Sequence, residues 1–183
     1  MPVVPVTGRA WLRVAAVGCI ALVVQEGILN GLIVGGAHPD AFLLLAVAAG
    51  LVAGPQQGAV IAFVVGLVAD LFVLTPFGLS SLVYVLVAFG AGTAASLPGG
   101  RAPYGFQMTV ALAGGVVGTL LFEGIGALLG QPKLPAHQLV VVAAVVGIAN
   151  VVLVIPASAA LSRAINIGPP RDLGAVSGGS AAR

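Results

Sequence analysis

The stretch GLVADLFVLTPFGLS, residues 66–80, contains a single acidic residue inside a long apolar run. Between Gly58 and Asp70 no other side chain carries a charge. A carboxylate at the centre of a membrane-spanning helix costs about 2.5 to 3.5 kcal/mol on insertion scales. Asp70 therefore needs compensating interactions, and we hypothesise that it ends its helix and forms hydrogen bonds across a helical bundle.

The composition of the whole chain is that of an integral membrane protein. Hydrophobic residues make up 60% of the 183 residues and charged residues 7%, with a mean hydropathy of +1.18. Soluble proteins carry about 25% charged residues. The apolar runs lack the alternation of transmembrane β-strands, so the sequence predicts an all-α membrane protein. The net charge of +2 comes from dispersed arginines, which gives no support for nucleic-acid binding.

Six apolar segments are candidates for membrane-spanning helices, since about 17 to 25 residues cross a hydrocarbon core of roughly 30 Å. They are Trp11–Val34, Asp40–Gly54, Gly58–Thr75, Gly78–Leu97, Gly105–Gly130 and His137–Leu161. We predict a six-helix transmembrane bundle over residues 1–165 and a flexible cytoplasmic tail over residues 166–183. The second segment is short, so one long bent or re-entrant element from Asp40 to Thr75 is an alternative. The sequence AGPQQG at 53–58 favours a turn.

The positive charges predict the orientation of these segments. With the N-terminus in the cytoplasm, six crossings leave only Lys133 on the outer side. The arginines on the cytoplasmic side are then Arg9, Arg13, Arg101, Arg163, Arg171 and Arg183. This asymmetry follows the positive-inside rule and predicts that both termini are cytoplasmic.

Polar residues inside the predicted spans are the candidate functional residues. Glu26, Asp70 and Glu123 fall at a similar depth, in the outer half of the bilayer, and Asn30 lies close to Glu26 on the same helix. Asn150 is the remaining amide, and we consider it a possible donor to one of the carboxylates. Three roles stay open for this set: hydrogen bonds that hold the bundle together, the lining of a ligand or proton path, and contact with a partner protein.

Small residues recur at intervals of four before two of these acids. The two series are Gly58, Ala62, Gly66 and Asp70, and Gly115, Thr119 and Glu123. Positions four apart share one helical face, and small residues on that face let helices approach closely. The spacing therefore predicts that Asp70 and Glu123 face protein. Asp40 has a simpler explanation, because an acidic residue is favourable at the start of a helix.

No sequence motif of a known catalytic or metal-binding type is present. His38 and His137 fall in predicted outer loops without enough further ligands for a metal site. We therefore predict a protein that is not an enzyme and that has no catalytic residues, metal or cofactor.

Residues 38–92, HPDAFLLLAVAAGLVAGPQQGAVIAFVVGLVADLFVLTPFGLSSLVYVLVAFGAG, resemble the rod shape-determining protein family MreD. In that family Pro-Asp opens the second helix, a polar turn follows, and a glycine-containing run with an Asp leads to a P-x-G turn. The matching residues are Pro39, Asp40, Gly58, Phe63, Gly66, Leu67, Asp70, Pro76, Gly78, Leu79, Ser81 and Leu82. The predicted six-helix count and cytoplasmic termini also agree with the family.

The resemblance implies a non-enzymatic scaffold of the cell-wall elongation machinery in the bacterial inner membrane. Such proteins associate with MreC and work alongside RodA, a class B penicillin-binding protein and MreB. The implied bundle is also similar to the substrate-binding S component of energy-coupling-factor transporters. This similarity gives an alternative hypothesis, a vitamin-binding or solute-binding transport subunit whose pocket uses Glu26, Asp70 and Glu123.

Overall fold

A computed structural model describes residues 8–27, 29–31, 38–72, 76–96 and 103–166. Within these ranges the chain forms five α-helices, a 3-10 turn at Leu29–Gly31 and no strand. The helices are α1 (Gly8–Gly27), α2 (Ala41–Asp70), α3 (Leu79–Ala95), α4 (Tyr104–Leu128) and α5 (Ala136–Asn166). The prediction of an all-α protein is confirmed for this part of the chain, whereas residues 167–183 of the predicted tail lie outside it.

Three of the helices are long and apolar enough to cross a membrane. They are Ala41–Asp70, Tyr104–Leu128 and the Ala136–Ile165 portion of α5. The six separate spans expected from the sequence are not supported. The second and third candidates form one helix, α2, and α3 has only 17 residues. Helix α1, the described part of the candidate Trp11–Val34, ends at Gly27 and is not among the three. A helix of 17 residues rises about 26 Å, so α3 lies at the lower limit of length for crossing roughly 30 Å of hydrocarbon.

Helix α2 reverses direction at Gly54, where φ is 78° and ψ is 179°. This backbone region is essentially restricted to glycine. Residues eight positions apart in a straight helix are separated by about 12 Å. A Cβ atom built on Gly58 would nevertheless lie 2.7 Å from Cα of Gly50, so the two halves of α2 pack side by side. The chain therefore reverses within residues 53–58, where the sequence favoured a turn, but it does so inside one helix, as in the alternative of one long bent element from Asp40 to Thr75. We call residues 41–53 the first arm and residues 55–70 the second arm.

The first arm forms the centre of the molecule. All residues from 41 to 50 are buried, which is the pattern of a helix surrounded on every side. Helix α2 contacts all four other α-helices, most extensively α3, while α4 and α5 pack chiefly against each other. The continuous apolar run AFLLLAVAAG thus forms the core, against which the other helices pack.

Glycines allow the backbones of α2 and α3 to come into direct contact. A Cβ on Gly66 would lie 2.7 Å from the backbone nitrogen of Ser81, and one on Gly92 would lie 2.5 Å from that of Pro55. These positions place the second arm and the Gly54 bend directly against α3. The close helix packing predicted from the spacing of small residues is confirmed at Gly66.

Candidate functional site

Asp70 joins α2 to α3. It is the last residue of α2 and is 5% exposed. Its carboxylate accepts hydrogen bonds from the backbone N–H groups of Gly78 (2.9 Å), Ser80 (3.0 Å) and Ser81 (3.4 Å), and from the Ser81 hydroxyl (3.0 Å). The first N–H groups of a helix have no partner within the helix, and Gly78 at the N-cap of α3 has no side chain to supply one. Asp70 supplies this cap from the preceding helix.

The hypothesis that Asp70 ends its helix and is held by hydrogen bonds agrees with this geometry, although the partners differ from those expected. The bonds run to the start of the next helix instead of across the bundle. Gly78 adopts a φ of 95°, a left-handed conformation that glycine tolerates without steric cost. The positive end of the α3 dipole lies beside the carboxylate, which further favours an acidic residue at this position.

Asp40 forms a second junction, at the other end of α2. Its Oδ1 atom accepts hydrogen bonds from the backbone N–H groups of Phe42 (2.9 Å) and Leu43 (3.0 Å), so it caps the helix that it precedes. Its Oδ2 atom accepts a 2.9 Å hydrogen bond from the hydroxyl of Tyr84 on α3. Burial raises the pKa of the Asp40 carboxyl above its ordinary value, and these three hydrogen bonds offset part of that rise.

Gln25 attaches α1 to the same junction. Its Oε1 atom accepts a 2.7 Å hydrogen bond from the backbone N–H of Ala41, and its Nε2 atom donates to the carbonyl of Pro39 at 3.1 Å. The amide therefore binds the backbone on both sides of Asp40. Side chains of α1, α2 and α3 consequently meet at one end of the bundle.

A cavity of about 630 Å³ lies beside the Asp40 junction. Residues from α1, the start of α2, α3, α4 and α5 line it, together with Phe72, which follows the end of α2. Its polar wall includes Gln25, Glu26, His38, Asp40, Tyr84 and Glu123. Ligand pockets in proteins commonly measure about 300 to 1,000 Å³, so this cavity is large enough for a small molecule.

The structure brings two of the three predicted intramembrane acids to this cavity. Glu26 is exposed on α1, and Glu123 is half-buried on α4, where its Oε2 atom accepts a 3.4 Å hydrogen bond from the N–H of Leu134. Asp70 does not line the cavity, but Ser80, whose N–H it binds, does. The candidate acids are therefore divided between a helix junction and a cavity.

The predicted amide Asn150 does not join the acids. Asn150 is 1% exposed on α5, and its Nδ2 atom donates to the carbonyl of Ala111 at 3.5 Å, so the expected bond to a carboxylate is replaced by one to backbone. The Oδ1 atom of Asn150 has no hydrogen-bond partner among the described residues. The side chain of Asn30 lies outside the described residues.

Gln25 and Tyr84 are site residues that sequence reasoning missed. A tyrosine within an apolar helix carries a hydroxyl that needs a partner when buried, and this was the available signal. Nothing in the local sequence around Gln25 indicates that it binds backbone 14 and 16 residues away.

Comparisons of the chain with protein-family models, with curated proteins and with solved structures found no match. Among the residues that the structure describes, no group of three or more His, Cys, Asp or Glu side chains is arranged to hold a metal ion. Proposals about function therefore rest on the geometry above and on the resemblance of residues 38–92.

Proposed function

We propose that the chain is a non-enzymatic membrane scaffold of the MreD type, which binds MreC within the bacterial cell-wall elongation machinery. One observation supports the proposal: four of the motif residues, Asp40, Gly66, Asp70 and Gly78, form the joints of α2 and α3. Asp40 and Asp70 cap these two helices, and Gly66 brings their backbones together. These motif residues therefore join α2 to α3, which is the role expected of residues that shape a scaffold.

This unit has outer faces suited to binding another membrane helix. Large apolar side chains point away from the bundle on both helices and include Val60, Phe63 and Val64 on α2 and Leu82, Leu86 and Phe89 on α3. Such faces contact either lipid or another protein when a chain lies in a membrane. The exposed Gly90 lies beside Phe89 and has open space around it, so a partner helix can approach α3 closely there.

We also propose that the two arms of α2 cross the membrane in opposite directions, giving six crossings with both termini in the cytoplasm. The arms rise only about 20 and 24 Å, so this arrangement requires the bilayer to thin locally around them. Support comes from the ends of α2, which lie near the start of α3, and from the Gly54 bend, which lies near Gly92 at the end of α3. The distribution of arginines and Lys133 favours the same orientation.

Cysteine labelling tests this arrangement. In a Cys19→Ser background, Gln56→Cys at the bend and Lys133→Cys after α4 replace exposed residues. A membrane-impermeant maleimide should label Lys133→Cys in spheroplasts, and Gln56→Cys only in inside-out vesicles. Labelling of Gln56→Cys from neither side would contradict two crossings and favour a re-entrant α2.

Co-purification from native membranes in mild detergent tests the scaffold proposal. MreC should be recovered with the tagged chain and quantified by mass spectrometry. Two variants locate the contact: Gly90→Trp on α3 and Gly124→Trp on α4 each enlarge an exposed glycine with nothing within 4 Å. We expect Gly90→Trp to reduce MreC recovery several-fold and Gly124→Trp to retain it.

The absence of MreC from the wild-type preparation would contradict the scaffold proposal. Equal MreC recovery with both variants would contradict the assignment of the contact to α3. A monodisperse elution profile for each variant in detergent separates loss of binding from loss of folding.

The cavity favours a second candidate function, a solute-binding transport subunit similar to an S component. In this case Glu26 and Glu123 would face the solute, while Asp70 would act only through the helix junction. Recovery of an ATPase pair together with a retained small molecule, in place of MreC, would support this candidate over the scaffold.

A further inference from the structure

The cavity beside Asp40 has a lining rich in carboxyl groups. Three carboxyl groups line it, those of Glu26, Asp40 and Glu123, whereas none of the described residues around it is lysine or arginine. His38 is the one basic side chain on its wall. A lining rich in carboxyl groups favours a ligand that donates hydrogen bonds or carries a positive charge over a phosphate or a carboxylic acid.

Aromatic side chains line the same cavity. Phe42 comes from the start of α2, Phe72 follows its end, Tyr84 comes from α3 and Phe122 from α4. The faces of aromatic rings attract cations, and desolvation strengthens this attraction. Aromatic side chains can also contact the apolar part of an organic ligand. An inorganic ion has no apolar part, so the aromatic lining favours an organic cation.

The acids are too dispersed to coordinate a metal. Among the described residues no three His, Cys, Asp or Glu side chains converge as metal ligands do. Both oxygens of Asp40 are also engaged, Oδ1 by backbone N–H groups and Oδ2 by Tyr84. Glu123, whose hydrogen bond to Leu134 measures 3.4 Å, is the acid best placed to act as a counter-ion.

We propose that this cavity is a binding site for a small organic cation, an amine or quaternary ammonium group, with Glu123 as its counter-ion and Phe122, Tyr84 and Phe42 as its walls. The proposal is independent of the scaffold role, and it would identify the solute class if the chain is a transport subunit. The cation has two possible sources, a soluble amine or the headgroup of a membrane lipid.

Calorimetric titration of the purified full chain in a detergent free of amino groups tests the soluble source. The probes are choline and ethanolamine, with 3,3-dimethylbutan-1-ol as a neutral analogue of choline. Choline or ethanolamine should bind, and the neutral analogue should bind at least about tenfold more weakly. Glu123→Gln should weaken amine binding about tenfold or more, because a charged partner is lost.

Phe122→Leu should also weaken amine binding, and Phe63→Leu is its matched control, because Phe63 is exposed on α2 and does not line the cavity. Thermal unfolding midpoints verify that each variant is folded. Should Glu123→Gln fail to fold, two comparisons still test the proposal. They are the amine affinity of Phe122→Leu against that of Phe63→Leu, and the affinity of the wild type for amines against its affinity for the neutral analogue.

Lipid nanodiscs test the headgroup source. If no soluble amine binds, the unfolding midpoint should be higher in phosphatidylethanolamine than in phosphatidylglycerol, and Phe122→Leu should reduce this difference while Phe63→Leu preserves it. The proposal is overturned if neither soluble amines nor the amine lipid have an effect. It is also overturned if amines and the neutral analogue bind equally, or if Glu123→Gln and Phe122→Leu both leave binding unchanged. None of these results depends on whether MreC co-purifies.

Discussion

Replacing Asp70 by asparagine or by leucine separates the requirement for an acceptor from the requirement for a polar side chain. From sequence alone Asp70→Asn should be mild, because an amide still forms hydrogen bonds. The structure reverses this expectation. Backbone N–H groups approach both oxygens, Gly78 at Oδ2 and Ser80 at Oδ1, so in either orientation the NH₂ group of the introduced amide would face a donor.

The magnitude follows from the number of donors left without a partner. A buried donor deprived of its acceptor costs about 1 to 3 kcal/mol. Asp70→Asn leaves one of the two short N–H bonds broken, so we expect the free energy of unfolding to fall by about 1 to 3 kcal/mol. Asp70→Leu breaks both, and Ser80 is 1% exposed, so water cannot replace the carboxylate there. The expected loss is then about 2 to 6 kcal/mol.

Equilibrium unfolding of the purified chain in mixed detergent micelles measures these differences. Thr109→Val is the control, since it removes an exposed hydroxyl that donates only to the carbonyl of Gly105 within α4. We expect stability to decrease from wild type and Thr109→Val, through Asp70→Asn, to Asp70→Leu. If both Asp70 variants unfold like Thr109→Val, the carboxylate does not stabilise the junction and the reasoning fails.

The same unfolding measurement tests three further variants and one control, Gly90→Ala. Gly54→Ala should lower the free energy of unfolding by about 1 to 3 kcal/mol through backbone strain alone, since nothing lies within 4 Å of that glycine. Gly90→Ala lies at an ordinary helical position with equally open space, so it should be neutral or slightly stabilising. Equal effects of the two substitutions would refute the strain at Gly54. Gly66→Ala should cost about 1 to 3 kcal/mol or more because the new methyl group meets the backbone of α3, and wild-type stability would show that the helices separate freely. Tyr84→Phe should cost about 1 kcal/mol through the lost bond to Asp40, and an unchanged free energy would mean that this bond contributes nothing net.

Helix boundaries were largely predictable because local residues set them. Candidates Gly105–Gly130 and His137–Leu161 correspond to Tyr104–Leu128 and Ala136–Asn166, and the turn at Pro55 lies where the sequence placed it. The number of full-length spans was not predictable in this way. It depends on how far each arm of α2 extends after the reversal at Gly54, which is a property of three-dimensional packing.

The candidate site was predictable only where the local sequence alone shows that a residue needs a partner or occupies a special position. Asp70 attracts notice because a carboxylate in an apolar helix needs partners, and Asp40 because it precedes an apolar run. The partners of Asp40 depend on the register between helices: Tyr84 is 44 residues from Asp40, and no local pattern encodes such a contact. The cavity likewise forms from segments distant in sequence, so neither its volume nor its three carboxyl groups could be derived from composition.

The reversal at Gly54 has a consequence for the order in which the protein folds. One residue separates two helical arms that contact each other, so the first long-lived tertiary contacts close a very short loop and carry little entropic cost. Helix α3 follows directly in sequence and packs against both arms, whereas the contacts of α1 with α5 join opposite ends of the chain. Proteins whose contacts join residues close in sequence fold faster than those whose contacts join distant residues. We therefore expect residues 41–95 to form the folding nucleus during synthesis, with α4 and α5 assembling on a unit that is already complete.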